Sequence, residues 1–135
     1  MADTEATPKV ALINADGTPT KDGWRKIGEL LRQPMESKSR PGRGGQKYDY
    51  ITARQVQDRL DLVVGPGNWS TMYRVFDGSA VECTLTLFSV SKADVGYPNN
   101  PDHPEDESLK SAYSDSFKRA AVAWGIGRFL YGDST

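Results

Sequence analysis

The run "WSTMYRVFDGSAVECTLTLFSV", residues 69–90, constrains the fold more than any other stretch. Asp77-Gly78 divides it into two β-rich segments, and an Asp-Gly pair so flanked is the strongest short-range hairpin signal. In the second segment Val81, Cys83, Leu85 and Leu87 alternate with Glu82, Thr84 and Thr86. Side chains alternate across a strand, so one face of this ribbon is apolar and the other polar. An apolar face of that kind must be covered by another element, and helices are the natural cover for an antiparallel sheet.

Three segments have helical spacing. "KDGWRKIGELLRQPM" sets Trp24, Ile27, Leu30 and Leu31 along one side, and Pro34 stops it. "TARQVQDRLDLVVG" aligns Val56, Leu60 and Val63, with Gly65 as the C-terminal cap. In "ESLKSAYSDSFKRAAVAWGIGRFLYG", residues 107–132, Leu109, Ala112, Tyr113, Phe117, Ala120, Ala123 and Trp124 share one arc at about 100° per residue. Ser108 is the expected N-cap, behind the acidic residues Glu105, Asp106 and Glu107 that a helix N-terminus favours. Gly125 and Gly127 end this helix.

Between these segments, "ESKSRPGRGGQK" reads as a basic, glycine-rich loop and "YDYI" as a short strand. "KADVGYPNNPDHPEDE" reads as a proline-punctuated loop after a short strand at Val95–Tyr97. Residues 1–19 read as a flexible or peripheral segment, in which "VALIN" can add an edge strand ahead of an Asp16-Gly17 turn. The expected class is α+β: an antiparallel β-sheet (a β-β-β-α core) packed against helices, in one domain over residues 20–135.

Net charge is only −1, but the charges are segregated. Residues 21–59 carry ten Lys/Arg against five Asp/Glu, residues 77–107 one against seven, and residues 108–135 four against two. Such a distribution supports a basic patch on a nearly neutral molecule. In the last helix Lys110, Ser114 and Lys118 form a stripe beside the apolar arc, flanked by small Ser111 and Ala121, and Arg119 lies at the arc's opposite border. Cations over so little bulk suit phosphate contact. Tyr48 and Tyr50 are candidate base-stacking groups. Trp69, Phe117 and Trp124 are expected in the core.

Other chemistries lack support. A single cysteine, Cys83, rules out an internal disulfide, points to a reducing compartment and reads as a core thiol. No apolar run reaches membrane-spanning length, and "MADTEATPKV" has no signal-peptide core, so a cytoplasmic setting in a bacterial or phage-infected cell is expected. "GRGGQK" does not fit the phosphate-binding loop pattern of nucleotide-hydrolysing proteins. His103 reads as an exposed loop residue, and Asp58 and Asp61, beside Arg59, as a solvated helix face. No residue set supplies a nucleophile with its base, so neither enzyme chemistry nor a metal or other cofactor is expected.

The closing segment resembles the end of the annealing domain in Rad52-type single-strand annealing proteins, a superfamily that includes phage Sak-type, DdrA-type and mitochondrial genome maintenance proteins. "GGQKYDYITARQVQDRLD", "LLRQPMESKSRP", "GPGNW" and "ADVGY" are similar to further landmarks in the same order, from about Trp24 to Asp133. The resemblance implies single-stranded DNA binding and ATP-independent annealing of complementary strands in recombination or repair. It also implies a ring or helical homo-oligomer, with a recombinase or single-strand-binding protein as a further partner. It places Lys118 and Arg119 in a DNA groove, with Lys110 nearby. Arg54 is a further contact, although the eukaryotic branch carries its arginine one position later, where this chain has Gln55. Arg40, Arg43, Lys47, Arg74 and Arg128 complete the candidate set. Two alternatives stay open. A double-stranded RNA module shares the order helix, three strands, helix, but wants cations where this chain has "PEDES". A structural oligomer without DNA affinity would be indifferent to oligonucleotide.

Overall fold

The computed structural model describes residues 12–77, 79–98 and 108–131, with the backbone alone at Arg43, Ser108 and Tyr131. In chain order the elements are α1 (Lys21–Leu31), β1 (Lys38–Pro41), a 3-10 turn (Arg43–Gly45), β2 (Lys47–Tyr50), α2 (Ala53–Val63), β3 (Trp69–Phe76), β4 (Ala80–Leu87), β5 (Val90–Gly96), α3 (Ser108–Ala123) and a short α4 (Arg128–Tyr131). The class is α+β, with antiparallel strands in two separate sheets: β1-β2, and β3-β4-β5 with β4 central.

The expected Asp77 hairpin forms, with Trp69 opposite Leu87 and Phe76 opposite Ala80. Asp77 itself takes a left-handed backbone (φ 52°), which Asp tolerates and such a turn requires. Val81, Cys83, Leu85 and Leu87 are all fully buried. Each such side chain contributes roughly 1.5–3 kcal/mol by leaving water. α3 supplies the cover. Its Phe117 ring stacks on Trp69 at 6.1 Å, and the Trp124 indole N–H donates to the Leu85 carbonyl at 3.0 Å. Trp24 of α1 closes the far side, stacked on Trp124 at 5.6 Å and edge-on to Phe88 at 5.9 Å. α3 also lies directly on the β5 backbone. A Cβ on Gly96 would stand 2.3 Å from the Ser116 nitrogen, so only glycine fits there.

Local signals set the helix ends. Thr20 accepts from the Gly23 N–H at the start of α1. Thr52 and Gln55 form a reciprocal capping box at the start of α2. Arg59 of α2 then donates to the carbonyls of Leu30, Leu31, Gln33 and Pro34, fastening the end of α1 to α2. Burial pushes this guanidinium below the ordinary arginine value. Ahead of α1, Asp16 accepts from Thr18 and Gly17 takes φ 91°, so the expected turn forms, closed by a bridge between Ile13 and Pro19. The rest of the "VALIN" strand expectation, at Val10 and Ala11, lies outside the described residues.

Five expectations are corrected. The glycine-rich "loop" is a β-hairpin, because Arg40 and Tyr48 are direct cross-strand partners and their contact closes it. β4 stops at Leu87 and β5 runs from Val90 rather than Val95. Phe88 turns the chain at φ 57°, a left-handed position with none of the usual turn residues to announce it. Ser108 is the first residue of α3 rather than its cap. Leu109 is 38% exposed while Ser116 and Ala121 are fully buried, because α3 is packed by the sheet on one side and α2 on another. Asp61 is not simply solvated: it accepts the Trp69 indole N–H at 2.8 Å. His103 and the acidic run 102–107 lie outside the described residues, and the described residues hold no cluster of metal-ligating groups.

Candidate nucleic-acid interface

Strand alternation sorts the β1-β2 hairpin into two faces. Lys38 pairs with Tyr50 and Arg40 with Tyr48, so all four share one face. Ser39 and Asp49, joined by a 2.7 Å hydrogen bond, share the other face with Pro41 and Lys47. The tip needs glycine, since Gly44 and Gly45 take φ 69° and 78°.

On the cationic face the Arg40 guanidinium lies between two rings, 5.0 Å from the Tyr48 centroid and 5.1 Å from that of Tyr50. Its Nε donates to the Tyr48 hydroxyl at 2.5 Å. From α3, Lys118 reaches the same place. Its Nζ donates to the Ile51 carbonyl at 3.3 Å and stands 5.9 Å from the Tyr50 ring. Lys118 is half-buried, and burial pushes its pKa down. Asp115 pulls it back up, and Arg40 pushes it down again. Asp115 is itself engaged: it accepts from Arg119 Nε at 3.0 Å and from the Tyr97 N–H at 3.1 Å. That bond raises the Arg119 pKa.

Lys118 and Arg119 are thus adjacent in sequence but directed differently. Lys118 joins the hairpin, whereas Arg119 leans toward the end of β5 through Asp115. Arg54 is exposed in the first turn of α2, directly after the Tyr50–Ile51 segment. Lys110 is exposed near the start of α3, two turns before Lys118. Lys47 is exposed on the hairpin's other face, and Arg43 lies at its tip with the side chain outside the described set. Arg74 sits on the sheet face opposite α3, over Phe76 at 4.9 Å and across from Glu82. Arg128 donates to the carbonyls of Val122 and Ala123 at 3.0 Å each, closing the C-terminal end of α3. The structure therefore gathers Arg40, Tyr48, Tyr50 and Lys118, keeps Arg54 beside them, and holds Arg74 apart. Lys38 was missed: it joins the cationic face through β-alternation, a signal hidden while the segment read as loop.

Fold and surface define an α+β domain with a cationic, tyrosine-lined face between a projecting hairpin and its long helix. Residues 24–135 match the Rad52/22 family of double-strand break repair proteins, and the chain belongs to that family. It is similar to the single-stranded DNA-binding protein DdrA of Deinococcus deserti, with 45% identity over 87 residues, covering 61% of this chain and 40% of that protein. The DdrA of Deinococcus radiodurans is 41% identical over 87 residues, covering 61% and 39% respectively. The chain spans about two fifths of the length of these relatives.

Proposed function

We propose that this chain binds single-stranded DNA by its phosphate backbone and promotes pairing of complementary strands without ATP, as a homo-oligomer. The carrying observation is the placement of Lys118. A half-buried ammonium stands beside the Arg40 guanidinium, and Arg119 and the Tyr97 N–H already hold the carboxylate that partly offsets it. Two converging cations with a committed counter-charge favour a mobile anion, and a chain phosphate supplies one with release of its own counterions. Arg54 and Lys38 extend the cationic surface along the hairpin and α2. Family membership and the DdrA relatives, proteins named for single-stranded DNA binding, support the choice of ligand. No chemical step is assigned to any residue: binding and alignment are the whole activity.

Titrating labelled oligo-dT at increasing salt tests this. The unaltered chain should bind with a steep negative slope of log K against log salt. Lys118→Ala with Arg119→Ala should cut affinity at moderate salt at least about tenfold and flatten the slope by about 0.7, one single-strand phosphate contact at Lys118, since Arg119 is held by Asp115. Unchanged affinity in that variant would remove Lys118 and Arg119 from the interface. Preference for duplex RNA over oligo-dT would overturn the choice of ligand. Annealing is checked separately, by the rate at which two complementary oligonucleotides pair without nucleotide. Sizing of the free chain checks the oligomer.

A further inference from the structure

One half-buried side chain on α2, that of Gln55, bonds both roots of the β1-β2 hairpin. Its Nε2 donates to the Glu36 carbonyl at 2.6 Å, two residues ahead of β1. Its Oε1 accepts the Thr52 N–H at 2.8 Å, two residues past β2. Within the hairpin Lys38 pairs with Tyr50, and the same register carried two residues further sets Glu36 opposite Thr52. The Gln55 amide is therefore a closing rung beyond the last backbone pair. Its partners fix its orientation, because a carbonyl only accepts and an N–H only donates. They also fix its chemistry: among straight side chains of this length, only glutamine carries a donor and an acceptor on one neutral end. An ionised glutamate would meet the Glu36 carbonyl acceptor to acceptor, and a lysine would offer the Thr52 N–H no acceptor. The start of α2 does not depend on the rung, since the Gln55 N–H also donates to the Thr52 hydroxyl at 3.1 Å.

The two legs of the hairpin are held unequally. Lys118 pins the second leg through the Ile51 carbonyl. On the first leg Arg59 reaches only as far as the Pro34 carbonyl, and every position of β1 is exposed. Lys38, on the cationic face, stands two residues beyond the Gln55 bond. We propose, resting on the single-strand reading above, that Gln55 is a positioning residue of the interface: it ties the first leg to the second and to α2, so that Lys38 stands on the same surface as Lys118. It contacts no phosphate itself. Without the rung the first leg can part from α2 while the second stays pinned, and Lys38 is the cation displaced most.

Gln55→Met keeps length and neutrality, removes both amide bonds and leaves the Thr52 hydroxyl cap in place. Amide hydrogen exchange on the DNA-free chain reads the rung: exchange across β1 and β2 should quicken at least about threefold, with β3 and β4 unchanged. Oligo-dT titration reads the consequence: the variant should bind about threefold more weakly at moderate salt and flatten the slope by about 0.7, the share of one single-strand phosphate contact. Lys38→Ala should do the same, and adding Gln55→Met to it should change affinity by less than about 1.5-fold, because no cation is left there to misplace. Unchanged hairpin exchange in Gln55→Met would overturn the rung. Quickened exchange with unchanged affinity, or with a full second loss on the Lys38→Ala background, would overturn the positioning of Lys38. Failure of the unaltered chain to bind oligo-dT would overturn the single-strand reading and the interface role with it, while exchange alone decides the rung.

Discussion

Lys118 and Arg119 illustrate how much a single residue's setting adds to its type. Both are cations on one helix, separated by one position. Yet one is half-buried against a tyrosine and a backbone carbonyl, and the other is spent on Asp115. Helical spacing alone placed both beside the apolar arc; only the hairpin packed against α3 distinguishes them. Cys83 is the complementary case, a residue whose place was legible. Alternation puts it on the buried face of β4, and it is fully buried there, against Tyr73. Burial pushes its thiol from the ordinary value near 9 up to about 11. The folded chain therefore holds that proton more tightly than the unfolded chain. Its contribution to stability is intact below about pH 9 and is lost as pH rises through about 11. The urea midpoint should fall across that window, and fall less in Cys83→Ala. At pH 8 a thiol reagent should label Cys83 no faster than the chain unfolds. Rapid labelling of the folded chain would show the thiol to be accessible.

At the scale of elements, the sequence was most readable where hydrophobic spacing and turn chemistry agreed. The Asp77 hairpin and the three main helices satisfy both. The β1-β2 hairpin was not readable as one, because every position of β1 is exposed and no apolar alternation betrays it. Its stability comes from the Arg40–Tyr48 contact and from Lys118 against Tyr50, contacts that spacing does not announce. The β4–β5 turn was missed for the opposite reason: Phe88 carries a left-handed backbone where glycine or asparagine would have marked it. The joint between α1 and α2 was also hidden, since Arg59 looked like one charge in a solvated row. Its guanidinium serves four carbonyls at the end of α1, at 2.6 to 3.4 Å. Hydrogen bonds from a charged donor contribute about 1.5–3 kcal/mol. Arg59→Ala should cost about 3 kcal/mol in urea unfolding. Arg59→Lys should recover only part of it, because an ammonium cannot span that set of carbonyls. A loss below about 0.5 kcal/mol would mean the α1 end is held by other contacts, as for an ordinary surface substitution.

Across the whole molecule, the helices lie on one side of the β3-β4-β5 sheet, and the polar face of that sheet looks the other way. The basic segment 21–59 folds into α1, the hairpin and α2. Of the acidic segment 77–107, the described residues place Asp77 after β3, Glu82 on β4 and Asp94 on β5. Basic residues clustered along the chain thus come together in space, and a molecule of net charge −1 presents a cationic face. That much of the site could be anticipated from charge counts and helix spacing. The membership of the cluster could not, because it depends on which strand faces which side. Arg74 marks the distinction. Counted by charge it belongs with the candidates; by position it stands on the sheet's outer face, over Phe76 and across from Glu82. A phosphate held between Lys118 and Arg40 lies on the opposite side of the sheet. Electrostatic attraction from one distant, screened cation is weak at physiological salt, where the Debye length is about 8 Å. Arg74→Ala should therefore leave oligo-dT affinity within about twofold and the salt slope unchanged, whereas Arg40→Ala should flatten the slope by about 0.7 or more. An Arg74→Ala loss as large as that of Lys118→Ala would place the strand across both faces of the sheet. A path of that kind requires either that the strand wrap the sheet edge or that a second copy of the chain bring its own Lys118 to the first copy's Arg74. Measuring the slope at two oligonucleotide lengths separates these. A wrapping strand loses its Arg74 dependence when shortened below the length needed to round the edge. A strand shared between copies loses it when the protein is diluted.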